Sequence, residues 1–278
     1  MSMEGCKART GGTGVASSEC MRHAVVTGAS SGIGEALARE LVGAGWAVTL
    51  VARRRERLEA IAAELGPAAR VVAVDLCAIK DLRAWVASLG QPIDLLVNNA
   101  GAVAVGRFVD IDPADARHVL DLDLIVPLAL CRAVLPAMLA RGAGTIVNVA
   151  STGALGPSPG MVDYCAAKAG LGAASEALRG ELRGTAVHVV TAYPGPTDTP
   201  MLRTATAGYP DARAVRSLPS GTPAALARRI RRAVDRRRAR VIYPRVYTLF
   251  RYFPAIARRL LDRFTPPPLP ASAGSDRR

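Results

Sequence analysis

Short apolar runs alternate with helical stretches along most of this chain, and that alternation is what most narrows the folds open to it. The runs lie at residues 22–27, 47–51, 71–76, 93–98, 145–149 and 187–192. Each is apolar for about five residues and ends on polar or small ones, as central strands of a parallel sheet covered on both faces do. Between them residues 35–41, 56–65, 113–140 and 162–182 read as helices. Strand and helix in strict turn predict one doubly wound, Rossmann-like α/β domain with a parallel sheet.

The first strand, Arg-His-Ala-Val-Val-Thr, runs into Gly28-Ala-Ser-Ser-Gly-Ile-Gly34 and then into a helical sequence. Strand, glycine turn and helix start in that order suit a phosphate: glycines let the backbone approach, and free N–H groups at the helix end face the charge. The spacing Gly-x-x-x-Gly-x-Gly differs from the commoner dinucleotide fingerprint. At the end of the second strand stand Ala52 and Arg53 rather than an acid. An acid there binds ribose hydroxyls, whereas an arginine suits a 2′-phosphate. NADP(H) is therefore the expected cofactor. Arg54 and Arg55 read as solvated residues opening the next helix.

Tyr164 and Lys168 lie four residues apart within a helical stretch and so share a face. An ammonium one turn away favours the phenolate and is expected to lower the tyrosine pKa. Ser151, thirteen residues upstream, offers a hydroxyl to hold a substrate oxygen beside the phenol. These are the parts of a proton-transfer site for a carbonyl or an alcohol.

Five motifs now stand in order: residues 27–34, Asn98-Asn-Ala-Gly101, Ser151, Tyr164 with Lys168, and Pro194-Gly-Pro-Thr-Asp-Thr199. Together they resemble the short-chain dehydrogenase/reductase family over residues 22–244. The resemblance implies that Gly28, Ser30, Ser31, Gly32, Ile33 and Gly34 hold the cofactor phosphates and Arg53 the 2′-phosphate. It places Asp75 and Leu76 at the adenine, and Asn98, with Ala100 and Gly101 beside it, at the adenosine ribose. Tyr164 would be the acid or base and Lys168 would hold the nicotinamide ribose. Pro194 and Gly195 would embrace the nicotinamide, and Thr197 and Thr199 would meet its carboxamide. The family carries an asparagine where this chain has Asp123, supporting a water in the proton relay behind the lysine. Aspartate keeps the backbone part of that role and brings a charge near Lys168. The implied activity is hydride transfer between NADP(H) and a carbonyl or secondary alcohol. The stretch 201–218, with Met201, Leu202, Tyr209 and Leu218, should cover the pocket and suits a lipophilic substrate. A homo-oligomer, dimer or tetramer, is implied as well. The alternatives are an impaired nucleotide-binding sensor or scaffold, and a membrane-binding protein reusing the fold.

The net charge of +13 is concentrated: residues 221–264 hold 13 arginines against Asp235 and Asp262. Thr222-Pro223 starts a helix whose stripe is Leu226, Ile230, Ala233 and Val234, and an edge strand follows at 241–243. Beyond it aromatics and arginines interleave. The segment 245–264 reads first as an extension closing the substrate cleft, then as a weak contact with an anionic membrane, and last as a nucleic-acid binder. Residues 1–21 and 265–278 are expected to be disordered, and Met21 is an alternative start. No unbroken run of about 20 apolar residues stands in the sequence, so a spanning helix is not expected. Cys6, Cys20, Cys77, Cys131 and Cys165 read as reduced thiols of a cytoplasmic protein, and Cys165 as packing rather than nucleophile. His23, His118 and His188 have no metal-ligand spacing.

Overall fold

The computed structural model of the chain describes residues 21–209, 218–265 and 268–269. Seven strands form one sheet in the order β3-β2-β1-β4-β5-β6-β7, parallel throughout. They are β1 His23–Thr27, β2 Ala47–Ala52, β3 Ala69–Ala73, β4 Leu95–Asn98, β5 Gly144–Val149, β6 Val187–Pro194 and β7 Arg240–Tyr243. The order reverses between β1 and β4, and ligands of open α/β sheets bind outside the strand ends at such a point.

Every residue of β1 is buried because both faces of the sheet are covered. Ala24 and Val26 point into one core, and Val25 into the other, as a period of two demands. On the first face lie α1 (Gly32–Gly43), α2 (Arg55–Leu65) and α8 (Pro223–Asp235), with Leu37, Leu58 and Ile230 against the strands. On the second lie α3 (Leu82–Ser88), α4 (Pro113–Leu120), α5 (Val126–Arg141) and α6 (Val162–Glu181). There Leu130, Val134 and Met138 of α5 cover β4 and β5. Thr222 caps α8 by accepting from the Ala225 N–H at 3.2 Å, and the expected stripe is buried on α1.

Three expectations need adjustment. The helix read at 113–140 is three pieces: between α4 and α5 the residues Asp121–Ile125 form a wider π-helical turn, with the Val126 N–H reaching the Asp121 carbonyl. The whole run Pro113–Arg141 is long and apolar enough to cross a membrane by length and composition. Its inner face is the cover of the sheet just described. The short helix α3, capped by Asp81, had not been anticipated.

The chain beyond β7 forms α9 (Thr248–Tyr252) and α10 (Pro254–Phe264), after α7 (Pro200–Ala207) has left the end of β6. Tyr247, Phe250 and Leu261 line the main cavity, as the cleft-closing reading expects. Leu249, Tyr252, Phe253 and Ile256 are exposed. Of the two termini expected to be disordered, residues 1–20 lie outside the described residues. In the other, Thr265, Pro268 and Leu269 are placed: Thr265 lines the main cavity, and the Leu269 N–H donates to Gly208 O at 3.0 Å.

Candidate active site

A cavity of about 720 Å³ opens at the carboxyl ends of the strands. One end is built by the glycine turn. Gly28 has φ +68°, and a Cβ there would lie 2.8 Å from Ala100 Cα, so the turn sits directly on the end of β4. Ser30, Ser31, Gly32 and Ile33 line the wall, and no side chain caps the first turn of α1. Gly34 lies outside the cavity wall, packed inside the turn against the Gly28 carbonyl.

Arg53 reaches this end, and so does Arg54, which is exposed and opens α2 as expected while also lining the cavity. The Arg54 guanidinium donates to Ser30 Oγ at 3.0 Å and Ser31 Oγ at 2.8 Å, clamping the glycine turn. Arg55 instead faces solvent and pairs with Glu59. Asp75 and Leu76 complete this end, with the Asp75 carboxylate accepting from the Cys77 N–H at 3.0 Å.

Asn98 is not on the wall. Its amide points into the core and donates to Asn148 Oδ1 at 2.8 Å, and Asn148 in turn donates to Ser175 Oγ on α6 at 2.8 Å. The chain of amides ties β4 and β5 to the helix that carries Tyr164. The next residue, Asn99, takes the cavity position with Ala100 and Gly101. Its Nδ2 donates to Thr27 O at 2.9 Å, and its N–H and that of Ala100 reach Thr27 Oγ1.

In the middle of the cavity Ser151, Tyr164 and Lys168 come together. Ser151 stands two residues beyond β5, its Oγ accepts from the Gly153 N–H at 3.0 Å, and its hydroxyl acts to lower the pKa of Tyr164. The Lys168 ammonium lies 5.9 Å from the Tyr164 ring centre and donates to Val149 O at 3.0 Å. Asp123, on the π-helical turn, is fully buried and does not touch the cavity. Its Oδ1 meets Lys168 Nζ at 2.7 Å, off the axis of a hydrogen bond, and its Oδ2 accepts from the Ala102 N–H at 2.8 Å. Gly101 leaves room for this, since a Cβ there would lie 2.5 Å from Asp123 Oδ1. Asp121, by contrast, is a surface residue paired with Arg117.

The electrostatics reverse one expectation. Burial raises the Tyr164 pKa, Asp123 adds to the rise, and the opposing effects of Lys168 and Ser151 do not overcome them. Burial acts to lower the Lys168 pKa, yet the carboxylate of Asp123 and the phenol of Tyr164 together raise it. Cys165 is buried with its thiol pushed up by burial, in keeping with packing. Among the described residues no three His, Cys, Asp or Glu side chains gather as a metal site.

Pro194, Gly195, Thr197 and Thr199 line the wall beyond β6, and Thr199 Oγ1 accepts from the Leu202 N–H at the start of α7. Much of the remaining wall is apolar, with Val103, Met161, Met201, Leu202, Tyr209 and Leu218 joined by Tyr247, Phe250 and Leu261 of the C-terminal segment. Among the described residues the charged ones on the wall are Arg53, Arg54, Asp75 and Lys168. The glycine cradle, the uncapped helix start and two arginines suit a phosphorylated dinucleotide.

The family model described as short chain dehydrogenase matches residues 22–210. An uncharacterized oxidoreductase of Staphylococcus epidermidis is 38% identical over 182 residues, 64% of this chain and 79% of that protein. The NADP-dependent 3-hydroxy acid dehydrogenase YdfG of Salmonella typhi is 38% identical over 180 residues, 62% of this chain and 71% of its own length. Among solved structures, a short-chain dehydrogenase from Sphingobium yanoikuyae in complex with NADPH superposes with a TM-score of 0.75 at 28% identity. That match covers 92% of this chain and 99% of the other.

Proposed function

The chain belongs to the short-chain dehydrogenase family, and on that premise we propose that it is an NADP(H)-dependent oxidoreductase acting on the carbonyl or secondary alcohol of a lipophilic small molecule. The observation that carries this reading is one cavity lined by paired arginines and a glycine turn, by Ser151, Tyr164 and Lys168, and by a set of apolar side chains. Arg53 and Arg54 offer two cations to a 2′-phosphate, and β2 ends on Ala52 with no acid to repel it.

The cofactor, when bound, supplies or accepts the hydride. The protein's residues do the rest. Ser151 holds the substrate oxygen beside the phenol, and Tyr164 gives that oxygen its proton in reduction or takes it back in oxidation. Lys168, fixed between Val149 O and Asp123, presents its charge to the Tyr164 ring and borders the cavity for the nicotinamide ribose. The apolar part of the wall favours a substrate without charge, since the described residues there offer a bare carboxylate no cation. The relative named as an NADP-dependent dehydrogenase and the neighbour in complex with NADPH support the choice of cofactor.

Oxidation of NADPH in the presence of fatty, polycyclic and quinone-like carbonyls tests the reading. Tyr164→Phe is expected to cut turnover by about 10²–10⁴-fold, the usual worth of a general acid, with NADPH binding kept. Near-normal turnover in that variant would refute the mechanism.

A further inference from the structure

Asp123 is a carboxylate with no exposed surface, and its nearest cation is the lysine of the active site. Three contacts fix it. Oδ2 holds the Ala102 N–H at 2.8 Å, Oδ1 meets Lys168 Nζ at 2.7 Å, and the π-helical turn Asp121–Ile125 carries it against α6. Lys168 is buried too, and its other contact is a neutral carbonyl, Val149 O.

From this geometry we propose that Asp123 is a positioning residue that offsets the charge of Lys168 and so keeps Tyr164 a phenol, able to donate its proton, to a higher pH than an uncharged residue at 123 would allow. The inference rests on Tyr164 being the proton donor of the proposed reaction.

Two opposing fields act at the phenol. An ammonium alone beside a phenol favours the phenolate. A carboxylate held against that ammonium cancels much of its field at the ring. Besides burial, the groups acting most strongly on Tyr164 are Lys168 and Cys165 from α6, Asp123 from the π-helical turn and the Ser151 hydroxyl just beyond β5. Cys165 and Asp123 act with burial, and Lys168 and Ser151 act against it. Asp123 is thus the charged group whose removal leaves Lys168 unopposed. The distances of 2.7 Å and 5.9 Å together place its Oδ1 within about 8.6 Å of the Tyr164 ring centre. A unit charge at that range, with an effective dielectric of about 20, moves a pKa by roughly 1.5 units.

The proposal concerns the pH at which the acid is lost and leaves the reaction equilibrium untouched. The alkaline limb of kcat/KM for carbonyl reduction marks that loss in the free enzyme.

Asp123→Asn separates the outcomes. Its side chain is nearly the same in volume, and it removes the charge. Two readouts are taken. One is the pH profile of kcat/KM for reduction. The other is the tyrosinate ultraviolet band of the free protein, taken as the difference between each protein and its Tyr164→Phe counterpart. The proposal expects the Tyr164 titration to fall by roughly one to two pH units in Asp123→Asn, and the alkaline limb to fall with it. A titration that stays put, or rises, overturns it. The ultraviolet titration needs no substrate, so a clear shift in a protein that reduces no carbonyl would refute the proposed function while showing that Asp123 offsets the field of Lys168 at Tyr164. If the asparagine variant does not fold, the wild-type titration decides. A Tyr164 pKa below the free-tyrosine value of about 10 would show that Lys168 dominates and would end the proposal.

Discussion

Replacing Asp123 by alanine should strand a buried cation, and the cost can be worked from the site. The pair is 0% and 5% exposed at its two side chains, so neither charge is screened by water. Removing one partner of such a pair costs about 3–5 kcal/mol, because the other stays buried without compensation. For Lys168 what remains is the Val149 carbonyl and the face of Tyr164. With about 2.1 cal/mol/K of unfolding entropy per residue and 278 residues, the melting entropy is near 0.6 kcal/mol/K. The expected drop in Tm is therefore about 5–9 °C.

The pH dependence gives a second, independent check. In the native protein the Lys168 pKa is raised. Its stabilising contribution is thus fully present below the unfolded value of about 10.4 and is lost as pH rises through the folded value. In Asp123→Ala the unpaired, buried lysine has its folded pKa pushed the other way. Its penalty is full at neutral pH and fades as pH approaches the unfolded value, where the amine is neutral in both states. The gap in Tm between the two proteins should therefore narrow steadily toward alkaline pH. Thermal melts followed by circular dichroism across that range make the test. A Tm within about 2 °C of wild type at neutral pH, or a gap that widens with pH, would refute the reasoning. The double variant Asp123→Leu/Lys168→Met should recover most of the lost stability, since apolar replacement of a whole buried pair is often neutral or better.

Two further outcomes are expected. Arg53→Ala and Arg54→Ala should each reduce the NADPH over NADH preference, measured as kcat/KM, by roughly 10–150-fold, the worth of about 1.5–3 kcal/mol per charge-assisted contact to phosphate. A wild-type protein that favours NADH would contradict the cofactor assignment. Gly156→Val should raise the KM of the carbonyl substrate by roughly tenfold with NADPH affinity unchanged, because overpacking costs about 1–3 kcal/mol and a Cβ at Gly156 would already lie 2.6 Å from Leu261 and 2.9 Å from Phe250.

What the sequence made legible follows from local rules. The glycine turn reads correctly because a strand, a turn and a helix start are all written in adjacent residues. The α8 stripe reads correctly because its period of 3.6 is unbroken over Leu226, Ile230 and Val234, all of which are buried. Helix α3 was missed because seven residues carry too little periodicity to register, and none of them is buried. The Asn98-Asn99 pair shows a different limit. Successive side chains of a strand face opposite sides, so one asparagine had to enter the core and one the cavity. Sequence alone assigns neither. The Asn148 and Ser175 side chains that receive the first are remote in the chain.

The sign of the Tyr164 shift marks where local reasoning stops. One helical turn between Tyr164 and Lys168 is a short-range fact, and it argues for a lowered pKa. The carboxylate that counters it comes from residue 123, some forty positions away, and reaches the lysine because the helix between α4 and α5 widens there. Burial acts in the same direction and depends on the whole fold. Arg54 follows the same logic at the other end of the cavity. It is the exposed start of a helix, as it reads in the sequence, and the turn at Ser30 and Ser31, beyond the neighbouring strand, gives its guanidinium a second role. In both places the residue types were visible in the sequence, while their roles were set by which partner the parallel sheet brought beside them.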